Sequence, residues 1–177
     1  MKNSTNIRGI YQSALQMEKK GRDFYLQKAE QADEELEKEV FRMLADEEQA
    51  HFDWIRRIIA GTDLAQEFAV VLDEFEEEAP QRFERFFKKL VERHKQGLSS
   101  SSKDIQALEM GLKLEEQSIR FYQERAEGAE FDAEREFLKR LIEQERGHFQ
   151  LLSDLKFYRE NPSAWFQEKE RGGLDGI

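Results

Sequence analysis

The stretch DEEQAHF at residues 46–52 places a histidine, His51, three residues after a glutamate, Glu48. The stretch EQERGHF at residues 143–149 repeats this spacing with Glu145 and His148. Residues three apart project from the same side of a helix, so each glutamate–histidine pair offers one oxygen and one nitrogen to a common point. The two stretches therefore predict two helical half-sites of the same kind.

The repeat extends beyond these pairs at a constant offset of 97 residues, which relates 48 to 145 and 51 to 148. Each pair is preceded, thirty residues earlier, by another glutamate, Glu18 or Glu115. The same offset superposes apolar and aromatic residues: Leu15 on Leu112, Phe24 on Phe121, Tyr25 on Tyr122, Leu44 on Leu141 and Phe52 on Phe149. Self-similarity at this length implies two similar helical hairpins.

Four segments carry apolar residues at helical spacing, at about residues 7–30, 35–60, 103–127 and 131–158. A stripe of this kind is typical of a helix with one buried face. Ionisable residues interrupt the middle of each stripe, and they are the same glutamates and histidines that the repeat relates. The sequence therefore predicts an all-α fold, a four-helix bundle built from two repeated hairpins.

The segments outside these stripes predict the domain organisation. A length of 177 residues suits one core, which we assign to residues 1–160, with a long, partly helical crossover at about 61–102. An amphipathic run with Phe83, Phe87 and Leu90 predicts a short helix in this crossover. Residues 161–177 form a predicted C-terminal tail, in which regular structure ends at Asn161-Pro162 and Trp165 with Phe166 anchors the chain to the bundle.

Composition excludes several classes of function. A net charge of -10 and a pI near 5.0 argue against a nucleic-acid or membrane partner, because both would repel this surface. The sequence contains no cysteine, which rules out disulfides, thiol catalysis and iron–sulfur centres on this chain. No stretch has the apolar length of a membrane span, so we expect a cytoplasmic protein.

The interrupted stripes predict a metal centre. A lone buried carboxylate would cost several kcal/mol or titrate to its neutral form, so something must compensate it. Four carboxylates and two imidazoles would balance two divalent cations, and this ligand set suits iron, with manganese or zinc as substitutes. The predicted ligands are Glu18, Glu48, His51, Glu115, Glu145 and His148.

Acidic residues are common here, 38 of 177, so a single glutamate–histidine spacing would be weak support for a metal site. Two of the three histidines follow a glutamate by three residues at matching positions of the repeat. This favours a metal site over the alternative, in which these charged residues are simply exposed to solvent. The third, His94, follows a basic stretch and is expected on the surface. Tyr25 and Tyr122 lie two turns after Glu18 and Glu115, so they are candidate catalytic residues that hydrogen-bond a ligand carboxylate; ordinary core packing is the alternative.

With these residues in hand, the chain resembles the ferritin-like superfamily and, within it, the rubrerythrin-like branch. The resemblance covers about residues 5–158 and rests on four motifs: MEKKGRDFY at 17–25, DEEQAHF at 46–52, LEEQSIRFY at 114–122 and EQERGHF at 143–149. It implies a di-iron centre that reacts with hydrogen peroxide or dioxygen in the response to oxidative stress. In this interpretation Glu18 and Glu115 bridge the irons, Glu48 and Glu145 are terminal or shifting carboxylates, and each histidine holds one iron.

Two departures from the rubrerythrin pattern bear on the reaction. Rubrerythrins carry a rubredoxin domain with four cysteines, whereas this sequence has none, so a separate redox protein is expected as electron donor. Rubrerythrins usually have an extra ligand glutamate three residues after the helix-three glutamate, where this chain has Ser118. The resulting six-ligand set is also similar to bacterioferritin ferroxidase centres.

Three functions follow from these patterns. The leading hypothesis is a di-iron oxidoreductase that reduces hydrogen peroxide or dioxygen with electrons from an external donor. The alternatives are a ferroxidase for iron detoxification or storage, and a metal-stabilised interaction module. A homo-oligomer is expected, with a dimer as the simplest form. Because each hairpin supplies half of the ligands, the site could form within one chain or by exchange of hairpins between two chains.

Overall fold

The computed structural model describes residues 3–75, 79–94 and 102–172, and they form seven helices without any strand. The helices are α1 Asn3–Gln31, α2 Glu35–Ala60, α3 Leu64–Leu72, α4 Ala79–Arg93, α5 Ser102–Glu127, α6 Asp132–Glu160 and α7 Pro162–Gly172. Among the residues described, every helix is too short or too polar to span a bilayer. The predicted all-α class is confirmed.

The two predicted hairpins are both present. α1 packs along α2 and α5 packs along α6, joined by short turns at residues 32–34 and 128–131. The second helix of each hairpin begins with acidic side chains, Glu35 and Glu37 in α2 and Asp132 and Glu134 in α6. Negative charge in a first turn interacts favourably with the helix dipole. The four long helices form the bundle that the repeat predicted.

The crossover between the hairpins contains two helices where one was predicted. α4 includes the expected amphipathic segment. α3 is additional, and it begins after Asp63, whose side chain accepts a hydrogen bond from the Gln66 backbone nitrogen at 3.3 Å. Its buried face consists of Leu64, Phe68 and Val71. A helix of 9 residues gives a stripe of only three positions, which is too short to stand out in a sequence.

The crossover covers one side of the bundle. α3 and α4 lie mainly against α6 and also contact α2, so they fill the groove between those two helices. α1 and α5 lie on the opposite side and contact each other less than the helices of each hairpin do. The bundle is therefore sealed along α2 and α6, and it is more open between α1 and α5.

The chain after α6 does not end its regular structure at Pro162, which corrects the sequence-based expectation. Pro162 is the first residue of α7, a position that suits proline because its missing N–H would have no helical partner. Trp165 is buried against Phe87 and Tyr158, with ring centroids 5.6 Å and 5.3 Å apart. α7 thus packs on the bundle through the aromatic pair that the sequence singled out.

The core is divided into two apolar clusters along the bundle axis. One cluster includes Tyr25, Phe41, Leu44, Leu108 and Leu152, and the other includes Tyr11, Ile55, Phe68, Phe137 and Leu141. In each of the four long helices, residues of one cluster are separated along the chain from residues of the other by the ionisable positions. A polar layer therefore crosses the middle of the bundle.

Candidate metal centre

The polar layer brings together all six predicted ligand residues. They are between 0 and 3% exposed. They form two overlapping groups, in each of which one potential ligand atom per residue lies within 4.8 Å of the others. The first group is Glu18, Glu48, His51 and Glu145, and the second is Glu48, Glu115, Glu145 and His148.

The overlap between the groups favours other roles for the glutamates than those expected from the sequence. Glu48 and Glu145 belong to both groups, whereas Glu18 and Glu115 belong to one each. The glutamates of the two glutamate–histidine pairs are therefore the ones positioned to bridge two cations, and Glu18 and Glu115 lie at the ends. Sequence spacing could not decide this, because it does not fix how far apart the helices stand.

Both imidazoles direct the same ring nitrogen at the carboxylates. Nδ1 of His51 lies 3.3 Å from Glu18 Oε2 and 3.1 Å from Glu145 Oε1. Nδ1 of His148 lies 3.4 Å from Glu145 Oε2 and 3.6 Å from Glu115 Oε2. The rings are nearly parallel, with centroids 5.4 Å apart. The arrangement has the approximate twofold symmetry that the repeat implies.

Burial raises the pKa of two of these carboxyl groups. It raises the pKa of Glu48 well above its ordinary value, and the charges of Glu145 and Glu18 raise it further. Burial also raises the pKa of Glu115 to about 8, although the neighbouring His148 opposes this rise. Without a cation, these carboxylates bear the cost of lost solvation together with mutual repulsion.

The histidines are affected in the opposite sense by their carboxylate neighbours. Burial lowers the pKa of His51, but Glu145 and Glu18 outweigh it and raise that pKa to about 9. The pKa of His148 is also raised, since the neighbouring carboxylates of Glu115 and Glu145 outweigh the effect of burial. Burial alone would raise the pKa of Glu145, but the two histidines hold it below its ordinary value. Protons on the imidazoles thus neutralise part of the carboxylate charge.

Several buried atoms of the cluster lack a hydrogen-bond partner among the described residues. They are Glu18 Oε2, both carboxylate oxygens of Glu145, and both ring nitrogens of His51 and His148. Buried polar atoms are rarely left without partners in folded proteins, and bound ions are one common explanation. Carboxylate oxygens and imidazole nitrogens without sulfur form a donor set that fits two iron, manganese or zinc ions.

The two tyrosines contact the cluster across helices. Tyr25 of α1 donates a hydrogen bond to Glu115 Oε1 of α5, and Tyr122 of α5 donates one to Glu18 Oε1 of α1. Burial raises the pKa of both hydroxyls well above its ordinary value, so they stay protonated. The predicted contact with a carboxylate is present, but each tyrosine reaches the glutamate of the other hairpin.

A cavity of about 260 Å³ between α1 and α5 reaches the cluster, where Glu48 and Glu115 form part of its lining. Gly21 and Ser118, which the repeat offset relates, also line it and keep the wall small. A Cβ atom at position 21 would lie 3.1 Å from Glu48 Cδ. Gly21 was not predicted to line the site. A glycine in the apolar stripe one turn after Glu18 could have indicated it.

On the α2–α6 side, crossover residues close the site. Phe83 packs edge-on against His148, with ring centroids 5.1 Å apart. The neighbouring Arg82 pairs with Glu47 of α2 and also donates to Gln144 of α6 at 3.2 Å. Glu47 and Gln144 occupy matching positions of the repeat, and each directly precedes a glutamate of the cluster. Their role in binding Arg82 could not be predicted from the sequence, because it depends on where the crossover lies.

His94 lies outside the cluster. Its Nε2 is 2.8 Å from Glu39 Oε1, and its side chain is 24% exposed. It therefore lies near the surface, as expected, but in an ion pair or hydrogen bond rather than free in solvent.

Comparison with protein families gave one match that covers most of the chain. A family model described as Rubrerythrin matches residues 10–156, a range that contains all six cluster residues and both tyrosines. Comparison with curated proteins and with solved structures returned no match.

Proposed function

Since the chain belongs to the rubrerythrin family, we propose that it is a non-haem di-iron oxidoreductase that reduces hydrogen peroxide, or dioxygen, with electrons from an external donor. The observation that carries this proposal is a fully buried carboxylate–imidazole cluster that the cavity between α1 and α5 reaches. A structural metal site would need no such access.

We assign the metal-holding roles from the two overlapping groups. Glu18 and His51 would hold one ion, Glu115 and His148 would hold the other, and Glu48 and Glu145 would bridge them. When bound, two ferrous ions would supply the electrons that cleave the O–O bond. The four carboxylates would balance two divalent charges, and glutamates suit this task because they can change their mode of coordination as the ion's charge changes.

The cavity between α1 and α5 would admit the oxidant. Gly21 and Ser118 leave room beside Glu48 and Glu115, and the cavity is large enough to admit hydrogen peroxide or dioxygen. Phe83 and the rest of the crossover exclude solvent from the histidine side. The side chains would therefore limit the face of the cluster from which the substrate approaches.

Reduction of hydrogen peroxide to two water molecules also consumes two protons. Tyr25 and Tyr122 hold a proton beside Glu115 and Glu18, because burial raises their pKa. They would orient the carboxylates, and the two protons would reach the centre through these hydroxyls or through water in the cavity. Electrons must come from elsewhere, since the 177 residues contain no cysteine to hold an iron–sulfur or rubredoxin-type centre.

The test is anaerobic loading with two Fe(II) per chain, followed by rapid mixing with hydrogen peroxide or with air-saturated buffer while absorption is recorded. We expect fast oxidation by peroxide, slower oxidation in air, and one round of oxidation per loaded centre. Fast reaction with dioxygen and repeated uptake of further iron would contradict the proposal and favour a ferroxidase. If the protein did not bind iron stoichiometrically, both di-iron functions would be excluded, and the interaction module would be the remaining hypothesis.

A further inference from the structure

One histidine of the cluster is in ring contact with an aromatic residue that reaches the surface. The imidazole of His51 and the indole of Trp54 have centroids 5.6 Å apart and planes inclined by 31°. His51 is fully buried, whereas Trp54 is only half-buried and lines an open hollow on the outer side of α2. The two rings span the distance from the cluster to the surface.

The other histidine has no equivalent among the described residues. His148 contacts Phe83, which is 1% exposed, and the repeat-related position of Trp54 is Leu151, which is 2% exposed. The approximate symmetry of the site is therefore broken at this point. At the position that matches Trp54, the second half of the chain therefore has a buried aliphatic residue instead of an aromatic one that reaches the surface.

The indole of Trp54 is held in one orientation by residues at the end of the crossover. Its Nε1 donates to Glu74 Oε2 at 3.2 Å, and its ring packs on Phe75 with centroids 4.3 Å apart. Arg57 fixes Glu74 in turn through two hydrogen bonds of 2.6 Å and 2.5 Å. These contacts keep the indole against His51, instead of letting it turn into solvent.

From this contact we infer that Trp54 relays electrons from a one-electron carrier to the metal pair through His51. The inference rests on the proposed function, which requires an external donor. His51 Nδ1 faces the carboxylates, so its ring links the indole to the metal position. Electron transfer weakens steeply across empty space, and two polarisable rings in contact shorten that gap. The protein's task is to hold such groups in fixed positions.

The electron balance is complete with this route. Each turnover converts one hydrogen peroxide and two protons into two water molecules and removes two electrons from the metal pair. Two reduced carrier molecules each lose one electron, and both electrons pass over Trp54 in succession. The indole is unchanged at the end, since it provides a path and stores no charge.

The absence of cysteine from the sequence allows a direct test by site-specific labelling. A ruthenium photosensitiser is attached to Asp53→Cys, at the hollow beside Trp54, or to Gln150→Cys, the repeat-related and exposed position beside His148. The iron-loaded protein is oxidised with ferricyanide, a light pulse injects one electron, and the loss of ferric absorption gives the reduction rate. Chemical oxidation makes this test independent of peroxide reactivity.

We expect Trp54→Leu to slow reduction from the Asp53→Cys label on the order of tenfold, equivalent to about 1.4 kcal/mol of activation free energy. The same change should leave the rate from the Gln150→Cys label unaltered, and Trp54→Phe should recover part of the loss. Trp165→Phe is the matched control, because Trp165 packs in the distant cluster with Phe87 and Tyr158. An unchanged rate from the Asp53→Cys label in Trp54→Leu would overturn the inference.

A second measurement needs no iron and no turnover. In Trp165→Phe, Trp54 is the only tryptophan, and titration with Co(II) should quench its fluorescence as the ion binds beside His51. Failure of Co(II) to quench, or of iron to bind, would overturn the inference as well. If quenching and photoreduction behave as expected but peroxide does not oxidise the ferrous protein, the proposed substrate is wrong and the relay stands.

Discussion

The hydroxyl of Tyr25 on α1 donates a hydrogen bond to the Glu115 carboxylate on α5, so one hairpin orients a ligand residue of the other. The reciprocal bond runs from Tyr122 to Glu18. Each carboxylate is thereby held at Oε1 while its Oε2 faces a histidine. These two bonds link α1 and α5 at the site, where the two helices otherwise have little contact.

Removing the tyrosine hydroxyls should weaken metal binding. We expect Tyr25→Phe combined with Tyr122→Phe to lower the affinity for Co(II) by about 10–100-fold, because groups that orient metal ligands contribute effects of this size. Competition with a chromogenic chelator measures the affinity. Tyr158→Phe is the control, since Tyr158 packs with Phe87 and Trp165 away from the cluster. Equal affinities in all variants would contradict an orienting role.

Removing the end carboxylates should reduce the metal content. Glu18→Ala with Glu115→Ala deletes one proposed ligand of each ion, and we expect the protein to bind fewer than two ions per chain. Metal analysis after loading and desalting measures this. Glu116→Ala, an exposed neighbour of Glu115, should keep the full content. If the double variant retained two ions, the ligand assignment would be wrong.

Filling the cavity wall should disturb Glu48. In Gly21→Ala the new Cβ would lie 3.1 Å from Glu48 Cδ, so this carboxylate must move by a few tenths of an ångström. We expect slower oxidation by peroxide and weaker Co(II) binding. Gly9→Ala in the same helix meets nothing within 4 Å and should raise stability by up to about 1 kcal/mol without altering the site. Identical Co(II) spectra and oxidation rates in the two variants would refute the role given to Gly21.

The stability of the metal-free protein should fall as the pH rises from about 6.5 to about 9. The pKa of His51 is raised from 6.5 to about 9, so protonation stabilises the fold fully below pH 6.5, and this contribution is lost through pH 9. The pKa of Glu115, raised from 4.5 to about 8, acts in the same direction. The lowered pKa of Glu145 matters only as the pH falls below 4.5.

Melting temperatures of chelated and metal-loaded protein across this range test the linkage. Metal binding displaces these protons, so the loaded protein should lose less stability, and the difference between the two forms should widen with pH. Comparison at each pH cancels the effect of the acidic surface, which both forms share. A chelated protein that became more stable toward pH 9 would show that the cluster is not protonated as argued.

A buried ion pair at one end of the bundle should support the fold but not the metal site. Glu134 is fully buried and receives hydrogen bonds from Arg125 Nε at 2.8 Å and from Tyr11 at 3.0 Å. Arg125→Met leaves that carboxylate without its charged partner, which should cost about 3 kcal/mol in the free energy of unfolding. Urea denaturation measures this, and the Co(II) stoichiometry should be unchanged.

The ion pair of Arg135 with Asp132 lies on the surface and serves as the control for Arg125→Met. Arg135 is 43% exposed and Asp132 is fully exposed, so Arg135→Met should change stability by less than about 1 kcal/mol. Similar losses from Arg125→Met and Arg135→Met would mean that Glu134 is stabilised by its other donors.

The sequence by itself determined the helices and the membership of the site. A stripe of period 3.6 and a glutamate–histidine spacing of three are local properties of a helix, so they can be read without knowing where any other helix lies. The offset of 97 residues then related the two halves, and together these patterns identified Glu18, Glu48, His51, Glu115, Glu145 and His148 before any distance was known.

The short elements were less accessible to sequence reasoning. α3 has only three apolar positions in its buried stripe, and α7 begins at the proline that was expected to end regular structure. Both helices are stabilised mainly by packing against α6, a long-range contact, and propensity alone is marginal at such lengths.

Only the tertiary structure decided how the parts of the site relate across helices. It makes Glu48 and Glu145 common to both ligand groups, sends Tyr25 to Glu115, opens the cavity at Gly21, and sets Trp54 against His51 where the crossover ends. Each relationship except the last joins residues of different helices, and even the contact of Trp54 is fixed by Glu74 and Phe75 of the crossover. Spacing along a chain gives the direction in which a side chain leaves its own helix, but the separation and rotation of neighbouring helices follow from how all of their side chains pack together.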